Sequence, residues 1–188
     1  MPEPDSCALA HRSHAPAYFS TEFGRRPRIL ELVRGFVSDF HDRVVLDTTS
    51  PRRRSSIWGS QVSMAAHELM ENALVYGPEG GSSFSIAIDP DPEDPANRYL
   101  VCIRTRNRAD PHQQATVCQR LHALSEAEDP AAYYLGLMAA SARRPEGSGL
   151  GLARVRVEAQ MDLSCVVDGE DLEVVARARI PRESGGGG

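Results

Sequence analysis

One helical pattern dominates this chain and limits what the rest can be. From about Ser56 to Tyr76, the residues Val62, Ala65, Ala66, Leu69, Met70, Ala73 and Leu74 recur on one broad face, with the spacing of an amphipathic helix. Gly77-Pro78-Glu79-Gly80-Gly81 stops it. Two strand-like runs follow, Ser83 to Ile88 and Tyr99 to Ile103, joined by the proline-broken acidic loop Asp89 to Pro95. A long hairpin or a meander is the natural reading of that unit.

The flanking segments complete the order. Ala17 to Phe23 reads as a short strand. Arg28 to about Asp42 reads as a helix, opened by Pro27 and striped by Ile29, Leu30, Leu32, Val33, Phe36, Val37 and Phe40. Residues 111–144 read as two helical pieces split near Asp129-Pro130. Gly147-Ser148-Gly149-Leu150-Gly151-Leu152 leads into a further helix through about Met161. Leu163 to Val167 and Leu172 to Ile180 close the chain as strands about an Asp168-Gly169 turn. The order β-α-α-β-β-α-α-α-β-β predicts an α/β, or α+β, two-layer sandwich, a mixed sheet with helices on one face. The domain is expected over residues 17–182, with a flexible arm at 1–16 and a disordered glycine tail at 183–188.

Composition excludes several chemistries. All 21 basic residues are Arg and Lys is absent, so there is no Walker-A lysine, no Schiff-base lysine and no pyridoxal-phosphate anchor. A net charge of -5 argues against a general nucleic-acid binder. Cys7, Cys102, Cys118 and Cys165 form no C-x-x-C pair, so neither a zinc site nor a disulfide framework is expected, and a reducing cytoplasm fits. No apolar run is long enough to span a membrane, and no signal peptide opens the chain.

Two segments carry candidate chemistry. In His67-Glu68-Leu69-Met70-Glu71-Asn72-Ala73-Leu74-Val75-Tyr76-Gly77, Glu68 and Asn72 stand one helical turn apart on a shared face. An Asn carbonyl oxygen suits Mg²⁺, and a Glu can orient water or take a proton from an attacking hydroxyl. On spacing alone, a solvent-facing polar stripe is the simpler reading. The glycine turn at 147–151 opens a helix, where unpaired amides and the helix dipole favour a phosphate; alone, it also fits a turn that packs a helix tightly. His67 and Glu71 read as surface residues, and Trp58 as packing. Arg104, Arg106 and Arg108 alternate, as in a solvated strand end or one wall of a phosphate cleft.

Taken together and in this order, H-E-L-x-E-N-A-x-x-Y-G followed by G-S-G-L-G-L resembles the GHKL (Bergerat-fold) ATPases. The superfamily includes histidine-kinase catalytic domains and stand-alone anti-sigma-factor serine kinases. The resemblance implies ATP and Mg²⁺ as cofactors, Glu68 as the catalytic residue and Asn72 as the metal ligand. It also implies phosphate contacts from Gly147, Ser148, Gly149, Leu150 and Gly151. The family's Asp-x-Gly-x-Gly box, which recognises adenine, is replaced by Ile103-Arg104-Thr105-Arg106-Asn107-Arg108-Ala109-Asp110. That leaves Thr105, Asn107 and Asp110 for the base, and Asn107 is counted with the site. This variant looks similar to the SiaB-like bacterial proteins, which implies serine or threonine phosphorylation of a small STAS-domain partner in a signalling circuit, and a possible homodimer. The alternative is a catalytically inactive module that keeps the fold to bind protein.

Overall fold

In the computed structural model, which describes residues 17–24, 28–45, 57–77, 81–141 and 149–182, the elements follow the expected order. They are β1 (Ala17–Phe23), α1 (Arg28–Val45), α2 (Ile57–Tyr76), β2 (Ser82–Pro90), β3 (Arg98–Arg108), α3 (Pro111–Ser125), α4 (Pro130–Ser141), α5 (Leu150–Val157), β4 (Asp162–Asp168) and β5 (Asp171–Pro181). The arm at 1–16 and the tail at 183–188 lie outside the described residues.

The five strands form one sheet in the order β1-β2-β3-β5-β4. Every neighbouring pair is antiparallel, so the sheet is not mixed as expected. The reason is the closing hairpin. After the three-helix excursion the chain enters the edge strand β4, and the turn at Gly169, with φ 62°, folds β5 back beside β3 in the opposite sense. A parallel pair would need the excursion to return directly beside β3.

Alternation along the strands separates two faces. Phe84, Ile86 and Ile88 of β2, Val101 and Ile103 of β3, and Leu172, Val174, Ala176, Ala178 and Ile180 of β5 are buried beneath the helices. α2 packs against both α1 and the sheet and buries Val62, Ala65, Ala66, Leu69, Met70 and Ala73. Trp58 packs partly buried against this core, as expected. β1 joins through Phe19, whose ring lies 4.4 Å from that of Phe36 on α1.

The other sheet face carries the charged side chains of the strands, with Cys102 and Val175 buried on it. β3 runs on to Arg108, well past the expected end at Ile103, because its ladder with β5 continues from Arg98↔Pro181 to Arg108↔Asp171. Arg104 pairs with Glu173 at 3.4 Å, Arg106 with Asp171 at 2.6 Å, and Arg108 with Glu170. The alternating arginines therefore form a cross-strand charge ladder, with Arg106 and Arg108 at the exposed end of β3. The Asp89–Pro95 loop is a hairpin end, fastened by Arg179 to Asp91 at 3.2 Å and to Glu93 at 2.7 Å.

A second sequence expectation is overturned. Cys118 of α3 and Cys165 of β4 are joined in a disulfide, with Cα atoms 6.2 Å apart, while Cys102 is buried and lies outside that bond. The partners are 47 residues apart in sequence, so only the packing of α3 over β4 discloses the pair. Cysteine usage thus no longer argues for a reducing compartment. Among the described residues, no helix is long and apolar enough to cross a membrane.

Candidate functional site

α2 places Glu68 and Asn72 on the side that meets α5. Gly151, in the first turn of α5, lies against both. A Cβ at Gly151 would sit 2.6 Å from Glu68 Oε2 and 3.5 Å from Asn72 Nδ2. The first distance leaves no room for a methyl group, so a side chain here would displace the carboxylate. The backbone of the glycine segment thus reaches the Glu–Asn pair because Gly151 carries no side chain. Gly149, the N-cap of α5, adopts φ 70° and faces the Arg120 side chain of α3. A left-handed backbone at that point favours glycine for a separate reason. Leu150 begins α5 beside it, and Gly147 and Ser148 lie outside the described residues.

Glu68 is only 7% exposed, and among the described residues its charge has one direct partner. Arg154, one turn beyond Gly151 on α5, donates from Nη1 to Glu68 Oε1. Arg154 Nη2 reaches Glu158 Oε2 at 3.4 Å, and Glu158 Oε1 accepts the Tyr134 hydroxyl of α4 at 2.8 Å. A chain of polar contacts therefore runs from α4 through α5 to α2. Burial raises the Glu68 carboxyl above the ordinary Glu range, with Arg154 pulling the other way and Glu71 adding to the rise. The Tyr134 hydrogen bond and Arg154 together hold Glu158 below that range. Burial and the same hydrogen bond raise Tyr134.

Asn72 is half-buried, and its Nδ2 is buried with no hydrogen-bond partner among the described residues. A buried amide without a partner is costly, and beside a side-chain-free glycine it provides a polar end for a ligand to satisfy. Because the two ends of an Asn amide are alike in shape, the same position can offer its carbonyl oxygen to a cation. The residues present thus fit a phosphate-bound Mg²⁺.

Base recognition is not assembled in the same way. Asn107 is buried near Gly77, at the C-terminal end of α2, and its Nδ2 donates to the Arg108 carbonyl at 2.9 Å. Thr105 is buried in β3. Asp110 caps α3, accepting from Gln113 N at 2.8 Å in a capping box. Val75, Gly77, Ala109, Asp110 and Gln114 help line a cleft of about 530 Å³ at this end of the sheet. Gln114 bridges its walls by donating to the Ala109 and Gly169 carbonyls. Replacing Asp110 by Ala is expected to lower stability by about 1 kcal/mol and Asp110→Ser by much less, measured as urea midpoints, because the role is a cap. Equal losses in the two variants would contradict that role.

Arg154, Glu158 and Tyr134 were not among the sequence candidates. Arg154 and Glu158 carried a weak local signal, an opposite-charge pair four residues apart just after the glycine turn. Tyr134 carried none, since its contact to Glu158 exists only through the seating of α4.

No family model matches the chain, and no curated protein matches it. Among solved structures, a chain of the SiaB–SiaC complex from Pseudomonas aeruginosa is similar, with a TM-score of 0.54 and 16% identity over 86% of this chain and 89% of that chain. At that identity the likeness establishes the fold alone. It supports the two-layer α+β architecture.

Proposed function

We propose that this chain is an ATP-binding regulatory protein of a bacterial signalling circuit, related in fold and chemistry to the GHKL ATPases, and that it phosphorylates a Ser or Thr of a small STAS-type partner. The observation that carries this reading is the meeting of Gly151 with Glu68 and Asn72. Two motifs far apart in sequence, each unremarkable alone, converge on one point with a spacing that only glycine permits. The similar solved chain comes from a SiaB–SiaC complex, which adds support for a protein partner.

In this reading Asn72 holds Mg²⁺ through its side-chain oxygen, and the amides of the glycine segment bind phosphate at the start of α5. Bound Mg²⁺ supplies neutralisation of the phosphate charge. Glu68 would orient the acceptor hydroxyl and take its proton as the new P–O bond forms and the bond from the γ-phosphorus to the bridging oxygen breaks, with ADP leaving. Burial raises its proton affinity, which suits a base, while Arg154 pulls the other way.

The second reading is an inactive protein-binding module. The Arg154–Glu68 pair and the engagement of Asp110 in a helix cap favour it.

Calorimetric titration with ATP, with and without Mg²⁺, separates the two. Metal-dependent binding is expected from the wild type. Asn72→Ala is expected to weaken it at least about tenfold, ~1.4 kcal/mol, with the urea midpoint little changed. Equal affinity in the variant would remove Asn72 from the site. No binding by the folded wild type at millimolar nucleotide would leave the module reading.

A further inference from the structure

We infer that Arg154 is a positioning residue for Glu68, coupled to the seating of α4 through Glu158 and Tyr134. The role in catalysis rests on the function proposed above; the coupling rests on the contacts themselves.

The geometry divides the Glu68 carboxylate into two ends. Oε1 is taken by Arg154 Nη1, while Oε2 lies beside Gly151, toward the glycine segment and Asn72. A guanidinium is planar and donates in a fixed fork, so holding Oε1 also fixes where Oε2 points. The side chain of Arg154 is 40% exposed and that of Glu68 8% exposed, so the pair spans the border between solvent and core. Without Arg154, the buried carboxylate would lack its direct counter-charge and face burial, Glu71 and Glu158, with His67 acting in its favour. The charged or titrating groups around Glu68 are His67 and Glu71 from its own helix, Arg154 from α5, Glu158 at the C-cap of α5 and Tyr134 from α4.

The other arm of Arg154 makes the connection. Its Nη2 is 3.4 Å from Glu158, which takes the Tyr134 hydroxyl at 2.8 Å. α4 packs on α5 with Tyr133, Tyr134 and Leu137 against the core, so its seating determines whether Glu158 shares its negative charge with Tyr134 or gives it wholly to Arg154. When Glu68 takes a proton from an acceptor hydroxyl, it loses its charge, and Glu158 remains to hold the guanidinium. The proton moves from the hydroxyl oxygen to the carboxylate, and no other group changes protonation.

The test compares wild type, Arg154→Gln, Arg154→Lys and Tyr134→Phe in the full chain, with urea unfolding to confirm each fold. Two readouts are needed: the pH titration of Glu68 followed by carboxyl ¹³C resonance without nucleotide, and the Mg²⁺-ATP affinity and phosphoryl-transfer rate. Arg154→Gln is expected to raise the Glu68 titration midpoint by about 1 pH unit. It is also expected to slow transfer about 10- to 100-fold with ATP affinity changed less than about threefold. Arg154→Lys keeps a charge without the fork, so it should restore the titration yet recover only part of the rate. Tyr134→Phe should slow transfer severalfold in the wild-type background and have no further effect on top of Arg154→Lys. An unmoved Glu68 titration in Arg154→Gln would overturn the inference. A moved titration with full Tyr134→Phe sensitivity in the Lys variant would overturn the coupling to α4. A wild type that neither binds ATP nor transfers phosphate would refute the proposed function, while the titration still decides the role of Arg154.

Discussion

Gly151→Ala is expected to disable the site while leaving the fold in place. The new methyl group would stand 2.6 Å from Glu68 Oε2, far inside van der Waals contact. A flexible surface carboxylate would step aside at little cost, but this one is buried and tied to Arg154. Two effects on stability oppose each other. Alanine in a helix is favoured over glycine by about 1 kcal/mol, whereas overpacking a filled space costs about 1–3 kcal/mol. The net expectation is a loss of about 1 kcal/mol, seen as a small fall in urea midpoint with helix content unchanged. The functional effect is larger. Displacing the carboxylate disturbs the point where the glycine segment meets the Glu–Asn pair, so Mg²⁺-ATP affinity should fall about 10- to 100-fold, equivalent to about 1.4–2.7 kcal/mol. Wild-type affinity in Gly151→Ala would mean that the contact of α5 with the Glu–Asn pair does not form the ligand site.

Breaking the disulfide is expected to give the largest stability loss of any change outside the core. Cys118 and Cys165 close a 47-residue separation, and a loop of that size corresponds to about 4 kcal/mol in the chain-entropy model, with measured values of about 2–4 kcal/mol. β4 is an edge strand, paired on one side by β5, so the bond also ties that edge to α3. Cys118→Ser/Cys165→Ser should lower the unfolding free energy by about 2–4 kcal/mol. A thiol reductant should lower the wild type equally and leave the double variant unmoved. Identical urea curves for the wild type with and without reductant would show that the bond contributes nothing. Because Arg120 of α3 lies against Gly149, nucleotide affinity measured in the same samples reports whether the tie reaches the glycine segment.

Local pattern carried most of the architecture. The apolar spacing of α1 and α2, the glycine stop after Tyr76 and the turn at Asp168-Gly169 are properties of short windows, and each element stands where those windows put it. The same holds for the two motifs: one turn between Glu68 and Asn72, and the glycines at the start of α5, follow from helix geometry alone. The sheet's uniform antiparallel sense, the length of β3 and the pairing of Cys118 with Cys165 depend on partners distant in sequence. No window contains both members of such a pair.

The site divides along the same line. The sequence by itself determined which residue types were available, namely an acid and an amide on one helix face, a glycine turn opening another helix, and only arginine for positive charge. Tertiary packing of α5 on α2 decided that Gly151 would touch Glu68 and that Arg154 would hold its carboxylate. Contacts of that kind depend on distances between separate elements, which are set when the core is buried and are written in no local stretch of chain.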